Sequence, residues 1–326
     1  MLDAENLSRI LGALVAIVVG SGGVIALFYV MNALVTALPF KGKARLLPWV
    51  YISPALLVLT AYLVLPTIWT VLISFLDRRS EKFVGLDNYI FAFTDSSMLV
   101  AFRNNLLWLV LVTGVSVSLG LVIAVLVDKV KYEAFAKGLI FMPMAISFVG
   151  ASVIWRFVYA YTPPEFEQIG LLNAILVQFG GEPIGWLINK TFNNFALIAI
   201  MIWLQTGFCM VLLSSAVKGI PGDVLEAARM DGANELQIFW RITIPMIRST
   251  ITVVATTVVV LVLKVFDIVF VMTGGRLDTD VIASRMIEIF PRDFGRGSAI
   301  AVILLIAVIP VMVVNIRRFR QQEISR

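Results

Sequence analysis

Histidine is absent from this 326-residue chain, and cysteine occurs once, at Cys209. Without histidine there is no His-based triad and no Cys/His zinc site. A single thiol permits no internal disulfide. Charge is scarce too: Asp, Glu, Lys and Arg make up 14% of residues, where a soluble domain carries about a quarter. The phosphate-cradling run G-x-x-x-x-G-K-[ST] is missing, so ATP has no such loop to bind. Aspartate and glutamate remain, so these absences narrow the enzyme classes without removing all of them.

What is abundant is apolar side chain, 60% of the residues. A water-soluble protein of this length cannot cover that much apolar surface, so the natural solvent is lipid. A membrane helix needs about 20 apolar residues to cross about 30 Å of hydrocarbon. Seven segments qualify: Ile10–Leu38, Pro48–Leu76, Leu106–Val127, Gly138–Tyr159, Phe195–Val217, Ser249–Met272 and Ser298–Ile316. The strict alternation of barrel strands is absent, and backbone exposed to lipid must satisfy its own hydrogen bonds. The predicted fold is therefore all-α, a polytopic transmembrane helical bundle of about seven spans. The first segment reads as an uncleaved span rather than a signal peptide, because its flank (Asp3, Glu5, Arg9) is not positive and its apolar stretch is too long. Its Gly12, Ala16 and Gly20 mark either a close helix contact or the usual abundance of small residues in membrane helices.

The net charge of +5 reports loop topology rather than a nucleic-acid partner. Loops after the odd-numbered spans carry Lys41, Lys43, Arg45, Lys129, Lys131, Lys137, Lys218, Arg229, Arg241 and Arg248, and the tail carries Arg317, Arg318, Arg320 and Arg326. That is 14 cations in about 62 loop residues, against 10 in about 96 on the other side, which predicts an outer N-terminus and a cytoplasmic C-terminus. The larger outer loops would then be Asp77–Arg103, Ala160–Asn194 and Thr273–Gly297. Within the second, Ile169, Leu172, Ile175, Leu176 and Phe179 fit a short surface helix or a loop packed on the bundle.

The loop Lys218–Arg248 is too polar to span and too regular to be a linker. Pro221 and Asp223 suit a helix start, a helix over Val224–Asp231 follows, and Gly232 is expected to stop it in a left-handed cap. A second helix is expected from about Asn234 toward Ile247, bent by Pro245 where it meets the membrane. Glu226 and Asp231 beside small Ala227 and Ala228 suit a rigid contact with another protein, whose arginine or amide a carboxylate can pair. This is not the layout of a catalytic centre.

Here the sequence resembles the permease subunits of binding-protein-dependent ABC importers. Their cytoplasmic signature is Glu-Ala-Ala, three residues, Gly, nine residues, Ile, one residue, Leu-Pro. This chain has Glu226-Ala227-Ala228, Gly232, Ile242 and Ile244-Pro245 at matching intervals, with Ile244 in place of leucine. Asp231-Gly232-Ala233 is also typical. The likeness covers roughly Leu46–Arg318, a region that resembles the larger maltose-type subunit and its relatives that carry α-glucosides, trehalose or glucosylglycerol. Gly85-Leu86-Asp87-Asn88-Tyr89, Asn104-Asn105, Gly170-Leu171-Leu172-Asn173 and Thr273-Gly274-Gly275 are similar to shorter family patterns, although Arg276 replaces the proline usual after the last.

The resemblance implies a type I ABC importer permease fold over residues 48–326, with the coupling loop at 218–248 and residues 1–47 forming an extra N-terminal span and cytoplasmic loop. It implies location in the bacterial plasma (inner) membrane. It implies an ABC ATPase dimer on separate chains that holds ATP and Mg, so that this chain binds no cofactor and is no enzyme. Other implied partners are a second homologous permease chain, an extracytoplasmic solute-binding protein and membrane lipid. Glu226, Ala227, Ala228, Asp231 and Gly232 would couple to the ATPase. The implied cargo is a sugar or glucoside. Trp203 stands where the maltose-type subunit has a sugar-site tryptophan. Gln205 is a neighbouring hydrogen-bonding candidate, and Ser147 joins Met144, Phe148, Ser152 and Trp155 as candidate lining from the fourth span. Lys264 and Asp267, spaced to pair on one helix face, are a polar rim or a structural ion pair, with Val265 and Phe266 beside them. Arg156 is expected to snorkel outward.

Other classes predict other features. An ion-coupled secondary transporter would carry buried coupling carboxylates and repeated broken helices, whereas Asp267 is the only acid deep in a span. An intramembrane enzyme would need clustered acids or a nucleophile–base pair. An ABC importer of a non-sugar solute would share every feature except the cargo site.

Overall fold

The computed structural model describes residues 4–37, 43–128 and 130–324. Asp3, Leu38, Lys41, Lys129 and Arg326 lie outside the described residues. Contacts divide the chain into two compact units, Met1–Trp69 and Thr70–Arg326.

The first unit contains α1 (Ala4–Ala37) and α2 (Lys43–Leu59), followed by a π-turn over Thr60–Val64 that leads into α3 (Leu65–Ile73). Phe28 of α1 stacks on Tyr51 of α2 with ring centroids 5.6 Å apart. No residue in the most apolar window of either span is buried, as suits side chains facing lipid. The π-turn has a local cause. Pro66 brings no N–H to the ladder, and one residue earlier Leu65 donates back five residues to Thr60, which re-phases the helix around the missing donor.

The second unit runs α4 (Asp87–Thr94), α5 (Ser96–Val127), α6 (Glu133–Phe141), α7 (Phe148–Val158), α8 (Leu171–Gln178), α9 (Asn193–Lys218), α10 (Gly222–Met230), α11 (Glu235–Ile238), α12 (Ile244–Met246), α13 (Arg248–Leu263), α14 (Asp267–Thr273), α15 (Ile282–Ile289) and α16 (Phe294–Ile324). Helix α5 starts at Asp95, whose carboxylate accepts from the amides of Ser97 and Met98. Helix α9 is the axis of the core, with two-thirds of its apolar window buried. Its Leu197, Ile200, Met201, Leu204, Met210 and Leu213 pack with Trp108 and Val112 of α5 and Val254 of α13. The α5–α9 approach depends on Gly120, where a Cβ would lie 2.6 Å from Cys209 Cβ and 2.8 Å from the Met210 nitrogen.

Among the described residues, five helices are long and apolar enough to cross a membrane, and two bent pairs bring the number to seven. The bends correct the expectation of continuous helices. The fourth span turns by 101° between α6 and α7. Pro143 opens a 3-10 turn there, Ile146 is extended, and Ser147 restarts the helix by accepting from the Gly150 amide. The expected sixth span is also two pieces: α13 ends at Leu263 and α14 begins at Asp267. The chain enters α13 through a 72° bend after α12.

At the α9 end marked by Asn193, asparagines hold a tight loop. Asn104 Nδ2 donates to the carbonyls of Asp278 (2.7 Å) and Asp280 (2.8 Å). Asn193 and Asn194 bind the carbonyls of Leu277 and Asp278, and Asn105 Oδ1 accepts from the Ile282 amide. Gly274, Gly275, Leu277 and Asp278 all have positive φ. The other short family patterns have similar work: Asn88 binds the carbonyls of Ser74 and Leu76, and Asn173 ties Ala160, Ile184 and Trp186 together. Of the residues expected in a short surface helix or a packed loop, Leu172, Ile175 and Leu176 fall within α8, while Ile169 and Phe179 flank it.

Candidate functional site

Two places gather the residues singled out in the sequence. The first is the segment after α9. Ile220 is buried at its base, and Pro221 precedes α10 with φ −58° and ψ 132°. Helix α10 ends as a Schellman motif: the Gly232 amide donates to Arg229 O and the Ala233 amide to Ala228 O, both at 3.0 Å, with Gly232 at φ +83°. Only glycine takes that left-handed position without strain. Helix α11 starts with a capping box, in which Asn234 Oδ1 accepts from the Gln237 amide (2.8 Å) and Gln237 Oε1 from the Asn234 amide (2.9 Å). Arg229 Nε closes the angle by donating to Glu235 Oε1 at 3.0 Å. A π-turn over Phe239–Thr243 again precedes a proline, Pro245, with Ile244 donating to Phe239 O.

The result is a locally braced knuckle that meets the core through Leu225 and, at its far end, through Phe239, Ile244 and Ile247. No residue of α10 is buried. Glu226, Ala227, Asp231 and Gly232 are exposed and Ala228 is half-buried. Met230 at its tip is 88% exposed. The alternation of charged, small and apolar groups on a rigid elbow suits docking to another protein. The capping box and Arg229–Glu235 pair were not singled out in the sequence; the Asn-x-x-Gln spacing was the available signal.

The second place is a cavity of about 560 Å³ whose lining includes Ser147, Gln205, Thr257 and Asp267 together with Met144, Phe148 and Phe208. That size lies within the range of small-molecule sites, about 300–1,000 Å³. Gln205 is 4% exposed, and its Oε1 has no hydrogen-bond partner. A buried unpartnered amide oxygen is uncommon and costly. Asp267 stands at the first turn of α14, the favourable end of a helix dipole for an anion.

Three of the sequence candidates, Ser147, Gln205 and Asp267, thus line one cavity, and the other three do not. Trp203 is two residues from Gln205, about 200° around the helix, and packs edge-on against Trp155 at 5.7 Å. Phe266 stacks on Phe270 at 5.0 Å. Lys264 is the exposed C-cap of α13. The i, i+3 spacing of Lys264 and Asp267 does not place them on one helix face, because the helix breaks between them, and no ion pair joins them among the described residues. The cation closes one helix and the anion opens the next, each at its favourable dipole end. Ser152 bonds its own helix at Phe148 O (2.8 Å), and Arg156 donates to the Val271 carbonyl at the end of α14. Thr257 and Phe208 complete the cavity without having been singled out, since nothing in their local sequence separates them from ordinary span residues.

Comparison with known proteins places this arrangement in a family. Residues 116–324, which include the whole knuckle, match the family described as "Binding-protein-dependent transport system inner membrane component". The chain is 74% identical over 275 residues to the osmoprotective compounds uptake permease protein GgtC of Synechocystis sp., covering 84% of this chain and 99% of that one. It is 50% identical over 279 residues to the alpha-glucoside transport system permease protein AglF of Rhizobium meliloti, covering 85% and 83%. Its fold is similar to a chain in the crystal structure of a bacterial ABC transporter involved in the import of the acidic polysaccharide alginate, with TM-score 0.72, 20% identity and coverage of 86% and 97%. The match across the knuckle and the high identity to GgtC show that this chain belongs to the binding-protein-dependent transport system inner membrane components, the multi-pass permease subunits of ABC importers.

Proposed function

We propose that the chain forms half of the translocation path for a sugar or glucoside and that its knuckle receives the motion of a separate ATP-hydrolysing subunit. The observation that carries this reading is the braced, exposed elbow whose Glu226, Ala227, Ala228, Asp231 and Gly232 fall at the family spacing. The partners are an ABC ATPase dimer, which holds ATP and Mg, a second homologous permease chain and an extracytoplasmic solute-binding protein. The knuckle and the C-terminus face the cytoplasm and the N-terminus faces outward; the bias in loop cations supports that orientation. Residues 1–47 add a span to the permease domain of residues 48–326.

Cargo passes through the cavity. Gln205 sits midway along the 26-residue α9, the depth at which transporter sites usually lie. Gln205, Ser147, Thr257 and the Asp267 carboxylate offer acceptors and donors to hydroxyl groups against an apolar wall, the layout expected for a neutral polyol. The names of GgtC and AglF, an osmoprotective-compound and an alpha-glucoside permease, support that cargo class. Trp203, Lys264 and Phe266 contribute through packing around the break rather than by lining the cavity.

ATP binding closes the ATPase pair, and the knuckle passes that change to the bends in the fourth and sixth spans. This is a two-state element biased by a ligand on another chain. In membrane vesicles containing the assembled importer, Glu226→Lys and Gly232→Pro should each abolish α-glucoside uptake while the chain stays inserted. Wild-type uptake and cargo-stimulated ATP hydrolysis in both variants would defeat the reading.

A further inference from the structure

Beside the base of the knuckle lies a compact polar cluster that none of the roles above uses. Lys137 of α6 directs its ammonium to three acceptors: Asp128 Oδ1 at 2.5 Å, Glu133 Oε1 at 2.6 Å and the Ser214 hydroxyl oxygen. Ser214 in turn donates to Asp128 Oδ1 at 2.8 Å. Lys218, the last residue of α9, also donates to Glu133. The lysine and Asp128 side chains are only 17% and 13% exposed. An ammonium has three N–H donors and no acceptor, and here each donor has its own oxygen. Asp128 caps the end of α5, Glu133 opens α6, and Ser214 lies one turn before the end of α9. Three spans are therefore joined at one nitrogen, and the knuckle starts two residues beyond Lys218.

We propose that Lys137 is a positioning residue of the coupling machinery: it fixes the end of α9 against α5 and α6, so that the knuckle has a rigid base from which to move the spans. The geometry separates this role from ordinary surface pairing. Exposed ion pairs hold little, but this one is mostly buried, charge-balanced by two carboxylates and two ammonium groups, and confined to residues that flank the hinge. The elbow is braced internally by its own caps, so a force applied at its tip reaches the spans at its two ends: through Ile220 and this cluster on the α9 side, and through Phe239, Ile244 and the buried Ile247 on the α13 side. The inference rests on the coupling reading, and its test must fail separately from it.

The full chain is spin-labelled at Leu236→Cys and Tyr132→Cys, two exposed positions near this end, and then assembled with its partners in nanodiscs. The native Cys209 is buried and leaves the labels confined to the introduced thiols. The proposal predicts a narrow distance distribution in the parent and one at least roughly twofold wider in Lys137→Met, since breaking a buried pair releases what it held. In the same complexes without labels, the ratio of binding-protein-stimulated to basal ATP hydrolysis should fall at least about fivefold. Lys137→Met leaves Asp128 without its cation. If that variant does not insert, Asp128→Asn combined with Lys137→Met removes the lone charge and should insert while remaining wide and unstimulated. Parent-like width or a parent-like stimulation ratio in the inserted variant overturns the proposal. Loss of uptake in Glu226→Lys alongside that result would leave coupling intact and remove only Lys137. Wild-type behaviour of Glu226→Lys would remove coupling instead.

Discussion

Gln205 keeps an amide oxygen unpaired in a wall that is otherwise mostly apolar, and such an atom costs stability unless something arrives to satisfy it. Gln205→Met should therefore leave the thermal midpoint in detergent unchanged or slightly raised, while the uptake KM for an α-glucoside rises roughly fivefold, the equivalent of one hydrogen bond of about 1 kcal/mol. A lowered midpoint with unchanged KM would make Gln205 a packing residue. Asp95 caps α5. The Ser97 hydroxyl hydrogen bond and the Ser97 and Met98 amides hold its carboxyl below the usual carboxylate range, against a smaller opposing effect of burial. Losing this N-cap in Asp95→Ala should cost about 1 kcal/mol at neutral pH. Because the folded pKa is the lower one, that contribution is complete above the ordinary carboxylate pKa and disappears as pH falls through the lowered value. The stability gap between parent and variant should narrow on acidification, and thermal unfolding at several pH values reads it. The cap was legible only as a pattern, Asp before Ser-Ser; Trp203 lies a two-residue step from Gln205 and so on another face of α9, and a family position does not reveal which face borders this cavity.

At the scale of elements, hydropathy located the spans but not their breaks. Averages over some twenty residues detect apolar length and are blind to a peptide unit that leaves the helix, so the fourth span read as continuous through Ile146 and the sixth through Lys264–Phe266. The signals were there in finer form: Pro143 with Ser147 as a restart, and a cation three residues before an anion, which mark helix ends at least as well as a surface pair. Both π-turns precede prolines, Pro66 and Pro245, yet sequence reads proline as a kink and does not distinguish a kink from an inserted residue. The knuckle was legible nearly whole, because Gly232 is both the family position and the residue type that adopts its backbone most readily. The α5–α9 seam was not, since Gly120 among many small residues carries no mark. Gly120→Ala would drive a Cβ into Cys209 Cβ and Met210 backbone, and overpacking of that kind costs about 1–3 kcal/mol. The midpoint of thermal unfolding should fall accordingly, and an unchanged midpoint would mean the seam is looser than the structure describes.

Across the whole molecule, α9 connects three features: the asparagine-held loop at Asn193, the cavity at Gln205 and the cluster and knuckle from Ser214 onward. One helix thus joins the asparagine-held loop, the cavity and the exposed elbow, the arrangement that the proposed coupling needs. The central claim is that an ATP-hydrolysing partner seats on that elbow. Met230, 88% exposed at its tip, gives the direct test, because the chain's single native thiol is buried. In native membranes carrying Met230→Cys, a short thiol cross-linker should capture the ATP-hydrolysing subunit in near-stoichiometric yield, and the thiol should be shielded from a membrane-impermeant maleimide added outside. A thiol labelled from outside, or one that captures no nucleotide-hydrolysing chain in a transporting membrane, would contradict the account.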